Sequence, residues 1–93
     1  MRDRIEITKN AMKDLNKVPK HILKGFHRWA LMVEEIGIIE TRKIKSFHDE
    51  PLSGDRAGQR SVRLSKAYRL FYVEGPGCKI NIVRILEVNK HEY

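Results

Sequence analysis

A chain of 93 residues has room for one compact core, since a domain this small buries only roughly 60–68% of its unfolded surface, and residues 1–93 are expected to form a single domain. Hydrophobic residues at 41% and charged residues at 33% exclude a disordered tail, and no uncharged apolar run is long enough for a membrane span. The net charge of +7 divides into +2 over residues 1–41, +5 over residues 42–69 and 0 over residues 70–93, so the basic middle calls for a polyanionic partner, nucleic acid first and an acidic protein segment second.

Ile5 and Ile7 alternate with Arg4 and Glu6, which predicts a short half-buried strand ending where Thr8 can cap a helix. Ala11, Met12 and Leu15 give that helix an apolar stripe, and it is expected to break before Pro19, because the residue preceding a proline avoids helical geometry. Pro19 suits the first turn of a second helix, whose stripe is Ile22, Leu23, Phe26, Trp29, Ala30, Val33 and Ile36. Phe26 and Trp29 lie on the stripe and read as core rather than as a base-stacking platform. Gly37 follows at the place of a left-handed C-cap. From Arg42 to Gly58 the chain is polar and broken by Pro51, Gly54 and Gly58, which reads as a loop. Strands are then predicted over Arg60–Ser65, Tyr68–Glu74 and Lys79–Asn89, with turns at Lys66-Ala67 and Gly75-Pro76-Gly77. Short links favour antiparallel neighbours. In the last strand alternation sets Ile80, Ile82, Leu86 and Val88 on one face and Val83 and Ile85 on the other, which predicts a strand covered on both sides. The class is α+β in the order β-α-α-β-β-β, an antiparallel twisted sheet against two N-terminal helices.

The segment MRDRIEITKN carries charges with no apolar stretch or cleavage site behind it, so a cytoplasmic protein is expected. Cys78 is the single cysteine and excludes an internal disulfide. His21, His27, His48 and His91 have no zinc spacing, so no metal or other cofactor is expected. A P-loop, a dinucleotide fingerprint and a G-x-S-x-G elbow are all missing from the sequence, which removes ATP-driven, NAD-dependent and esterase chemistry. The basic residues fall on a loop and strands, which argues against a DNA-recognition helix.

Strand alternation puts Arg60 with Val62 and Leu64, and Arg63 on the opposite face with Ser61 and Ser65. Arg69 shares a face with Phe71 and Val73, and a charge set in an apolar strand needs either a carboxylate such as Glu87 or a bound anion. Glu50 and His91 are the titratable pair suited to proton transfer. A carboxylate near arginines stays ionised and accepts a proton, while a histidine near phosphate is held protonated and donates one. Together these residues fit metal-free ribonuclease chemistry.

The run FHDEPLSGDRAGQRSVRLSKAYRLFY, residues 47–72, followed by ILEVNKHEY at residues 85–93, resembles RelE/ParE-superfamily toxins of type II toxin–antitoxin systems. The resemblance is nearest to the YoeB-like and HigB-like ribosome-dependent mRNA interferases and covers about half the chain by motif. It implies a RelE-like fold and an endoribonuclease that cuts mRNA in the ribosomal A site. By this resemblance Glu50 of the Glu-Pro-Leu segment is the general base, Arg69 of the Tyr-Arg-Leu-x-Tyr strand stabilises the phosphate, and His91 is the acid. LSGDRAG is similar to a HigB-like loop that would set Arg60 and Arg63 against the mRNA backbone. RelE itself uses lysines and arginines in place of the acid–base pair, which makes Lys43, Lys45 and Lys66 candidate RNA contacts, and His48 matches a loop histidine of some HigB-like toxins. YoeB-like chains end in adjacent His-Tyr, whereas Glu92 separates His91 from Tyr93 here; a continuing strand would keep His91 and Tyr93 on one face.

The partners implied are a cognate antitoxin, the ribosome and its mRNA, with operator DNA reached through the antitoxin and no membrane. Two other readings stand beside the interferase: a ParE-like DNA gyrase inhibitor with the same fold, and a catalytically inert family member. An inhibitor that only binds has no use for an acid–base pair, so Glu50, Arg69 and His91 together favour the nuclease.

Overall fold

Thr8 joins the two halves of the molecule. Its hydroxyl accepts from the Ala11 backbone N–H at 3.2 Å, capping a helix, and donates to the Ile85 carbonyl at 2.8 Å on the last strand. The structure, a computed structural model, describes residues 3–76 and 81–90. Strand β1 (Arg4–Ile7) leads through Thr8 into α1 (Lys9–Leu15), and α2 (Lys20–Ile36) starts after Pro19. The chain continues into α3 (Ile38–Arg42), a 3-10 turn (Lys45–Phe47), the short strand β2 (Glu50–Pro51) and a second 3-10 turn (Gly54–Arg56). Strands β3 (Arg60–Arg63), β4 (Tyr68–Pro76) and β5 (Asn81–Lys90) complete it.

Gly37 has φ 87° and ψ 159°, so it ends α2 by reversing the chain in a conformation open to glycine and not in the expected left-handed helical cap. A five-residue helix begins at once, its first N–H donating to the Asp3 carboxylate at 2.7 Å. The region read as a loop from Arg42 therefore holds the end of a helix, two 3-10 turns and a strand; all are too short to show a period.

The sheet runs β1-β5-β4-β3-β2. The pairs among β2 to β5 are antiparallel as the short links require, but β1 lies parallel to β5, making the sheet mixed. Four alternating residues carry no information on strand direction, and no short link ties β1 to β5. Along β4 and β5 the register slips at Phe71/Tyr72: Phe71 faces Glu87 and Tyr72 faces Ile85, leaving Leu86 as an extra residue. This bulge restores Val88 to the face of Val83 and Ile85, all three buried. The expected grouping of Val88 with Ile82 and Leu86 is corrected by it, and β5 is packed by helices on one face only. The bulge leaves backbone groups that α1 satisfies, since Val88 N–H donates to the Asp14 carboxylate at 3.0 Å.

The core between helices and sheet contains Ala11, Leu15, Phe26, Trp29, Val33, Val62, Leu70, Tyr72 and Ile85. Trp29 and Tyr72 pack ring to ring with centroids 5.6 Å apart, as the stripe predicted for Trp29. Ile36, assigned to the same stripe, is instead 48% exposed in the last turn of α2. No helix among the described residues is long and apolar enough to cross a membrane. The other sheet face carries no helix, and the functional candidates gather there.

Candidate active site on the open sheet face

Direct cross-strand partners share a face, and the register assembles the site: Glu50 stands opposite Ser61, Ser61 opposite Phe71, and Phe71 opposite Glu87. One step along, Arg63 stands opposite Arg69 and Arg69 opposite Asn89. The Arg69 guanidinium lies 3.7 Å from Glu50 Oε1 and donates to Ser61 Oγ at 3.4 Å. Its side chain is 15% exposed, against 60% for Glu50. The contact is long and wet enough to be worth at most about 1 kcal/mol, so a phosphate can displace Glu50 from Arg69 at little cost. Arg63 sits directly across from another arginine, an arrangement that repels without an anion, and among the described residues it forms no ion pair.

Glu50 reaches this face because its neighbour is anchored on the other. His48 takes φ 44° after the 3-10 turn, a left-handed conformation that redirects the chain. Asp49 then turns inward, with its side chain 1% exposed. Tyr72 Oη donates to Asp49 Oδ2 at 2.5 Å, Arg60 Nε donates to Oδ1 at 2.6 Å, and Arg42 donates to Tyr72 Oη at 3.2 Å and to Glu74 at 2.7 Å. Burial, then the bond to Asp49, pushes the Tyr72 phenol well above its ordinary value against the pull of Arg42, so it remains a donor. Strand alternation delivers the next residue, Glu50, to the open face.

Arg60, expected at the RNA backbone with Arg63, is thus on the far face holding Asp49. Arg56, which sequence reasoning did not single out, is on the open face: its guanidinium stacks 4.3 Å over Phe71 and it pairs with Glu87. Its signal was the LSGDRAG turn, read only for the arginines after it. Glu87, weighed as a partner for Arg69, is engaged by Arg56 instead. Lys43 pairs with Glu40 at 3.1 Å on α3, while Lys45, His48 and Lys66 are exposed. His91 and Tyr93 lie outside the described residues; β5 is described as far as Lys90, which pairs with Tyr68. Among the described residues no cluster of histidine, cysteine or carboxylate side chains is arranged to hold a metal.

No family model and no curated protein matches the chain. Solved structures do. The toxin–antitoxin complex RelBE2 from Mycobacterium tuberculosis matches at 26% identity and TM-score 0.67, over 98% of this chain and 100% of that one. YafQ from Escherichia coli matches at 19% identity and TM-score 0.72, over 98% and 94%. The YoeB–YefM complex from Staphylococcus aureus matches at 19% identity and TM-score 0.71, over 99% and 100%. The chain has the fold of the RelE-superfamily toxins, as its sequence motifs indicated.

Proposed function

We propose that this protein is the toxin of a toxin–antitoxin pair and an endoribonuclease that cuts mRNA in the ribosomal A site. The observation that carries the reading is the exposed carboxylate of Glu50 set 3.7 Å from the largely sheltered guanidinium of Arg69 on a sheet face that no helix covers. Glu50 takes the proton of a ribose 2′-hydroxyl, and the freed oxygen attacks the adjacent phosphorus. Arg69 is placed for the negative charge that builds on the phosphoryl oxygens, and Arg63 beside it for the flanking backbone. The P–O5′ bond breaks and the leaving oxygen takes a proton from His91. The products are a 2′,3′-cyclic phosphate and a 5′-hydroxyl, and no step calls for a metal.

The toxin role rests on the whole-chain likeness to RelBE2, a toxin–antitoxin complex, and to YoeB in its complex with YefM. An antitoxin covering the open face would hide Glu50 and Arg69 together, and the ribosome and its mRNA are the remaining partners of this reading. End-group analysis of the cut RNA tests the chemistry: a 5′-hydroxyl that a kinase can label without prior phosphatase treatment supports it, and a 5′-phosphate overturns it.

A further inference from the structure

Helix α2 and the β3–β4 turn flank a half-open cavity that the acid–base chemistry does not use. Arg28 and Gly25 of α2, Ser46 of the first 3-10 turn, Arg63 at the end of β3, and Ser65 and Lys66 of the β3–β4 turn line it. At about 130 Å³ it falls below the roughly 300–1,000 Å³ of sites for drug-sized ligands, so it suits a compact group. Gly25 faces the Leu64 carbonyl oxygen, from which a Cβ would stand 3.6 Å away, an ordinary contact.

Arg28, Arg63 and Lys66 bring three cations to one small cavity, and among the described residues none forms an ion pair. Elsewhere five of the described arginines take carboxylates, Arg42 with Glu74, Arg56 with Glu87, Arg60 with Asp49, Arg69 with Glu50 and Arg84 with Glu6, and Arg4, also without an ion pair among the described residues, stands alone on the exposed end of β1. Like charges crowded round a cavity repel unless an anion joins them. The hydroxyls add donors, since Ser65 Oγ already accepts from the Ala67 and Tyr68 N–H groups and keeps its own hydrogen to give.

We propose that this cavity is a second phosphate site, which holds a backbone phosphate of single-stranded RNA away from the scissile bond. Arg63 carries the argument for RNA over other anions. It lines the cavity and also stands opposite Arg69, so one strand can run from the open face over the β3–β4 turn to Arg28. The inference rests on the reading of the open face as an RNA-cleaving site, and its test is independent of cleavage.

The probe is a fluorescent single-stranded RNA with every 2′-hydroxyl methylated, which 2′-hydroxyl attack cannot cut. Its affinity is measured by anisotropy across a salt series for the unsubstituted protein, Arg28→Gln, Lys66→Gln and the double variant. Both side chains belong to exposed residues, so the fold is not at stake. Each single variant is expected to bind about five- to tenfold more weakly and the double variant to lower the salt slope by about 0.7, the effect of one lost phosphate contact on single strands. Lys13→Gln on α1 removes the same charge and should leave the slope unchanged. Affinities and slopes equal to those of the unsubstituted protein, losses matched by Lys13→Gln, or no measurable binding at low salt overturn the proposal. A protein that binds this RNA through Arg28 and Lys66 yet leaves natural mRNA intact on ribosomes keeps the site and loses the nuclease.

Discussion

Asp49 and Glu50 are chain neighbours whose carboxylates serve opposite faces of one sheet. The Asp49 side chain is 1% exposed and accepts from Tyr72 and Arg60, while the Glu50 side chain is 60% exposed beside Arg69. The buried acid fixes the strand whose next residue is the exposed one. Stability and the proposed chemistry therefore fall to adjacent positions.

Glu50→Ala and Asp49→Ala should separate accordingly. Glu50→Ala is expected to change unfolding free energy in urea by no more than about 0.5 kcal/mol while slowing cleavage by roughly 10²–10⁴. Asp49→Ala leaves Arg60 and Tyr72 without their acceptor and should cost on the order of 3 kcal/mol of stability. Equal stability losses would mean that the anchor is not the device that orients Glu50.

Arg69 and Arg63 stand opposite each other, and their removal should not be equivalent. Arg69→Ala is expected to lower kcat by roughly 10²–10³, because its contact strengthens as charge develops. Arg63→Ala should act mainly on KM, with a smaller loss in kcat/KM. Single-turnover kinetics on ribosome-bound mRNA would distinguish them, and matching kcat losses would reduce Arg69 to a binding residue.

The buried phenol of Tyr72 gives stability a defined alkaline limit. Its folded value is raised above the ordinary 10, so both folded and unfolded chains hold the proton below pH 10. Above it the unfolded chain loses the proton first, and stability falls as pH rises toward the folded value. Urea unfolding above pH 10 should therefore show a slope steeper for the unsubstituted protein than for Tyr72→Phe, by up to about 1.4 kcal/mol per pH unit. Identical slopes would remove Tyr72 from the linkage.

Thr8 caps α1 and bonds to β5 with one hydroxyl. Thr8→Val keeps the volume and loses both contacts, with an expected cost of about 1–2 kcal/mol in urea unfolding. A cost below a few tenths would show that the backbone bond from Thr8 N–H to Ile85, 3.1 Å long, suffices.

The α2 stripe, the Thr8 cap, the three C-terminal strands and the isolation of Arg69 in an apolar strand were all legible, because each rests on a period or a local hydrogen bond. The parallel pairing of β1 was not, since direction is set by packing between distant segments. Nor was the Leu86 bulge, which shifts alternation by one residue in mid-strand and moved Val88 to the core. Glu50 and Arg69 were singled out by motif, and their mutual distance required the β2–β3–β4 register. Arg60 was misplaced because its fate depends on buried Asp49, a residue that nothing local marks as an anchor. Arg56 was missed because its stack on Phe71 crosses from a turn to a strand that alternation treats separately.

Purified protein on ribosomes programmed with end-labelled mRNA, beside matched Glu50→Ala and His91→Gln variants and a ribosome-free control, tests the central claim. Cutting within the A-site codon that needs ribosomes and is lost in both variants is the predicted result. Intact mRNA under every condition, or full cutting by the Glu50→Ala variant, would contradict it.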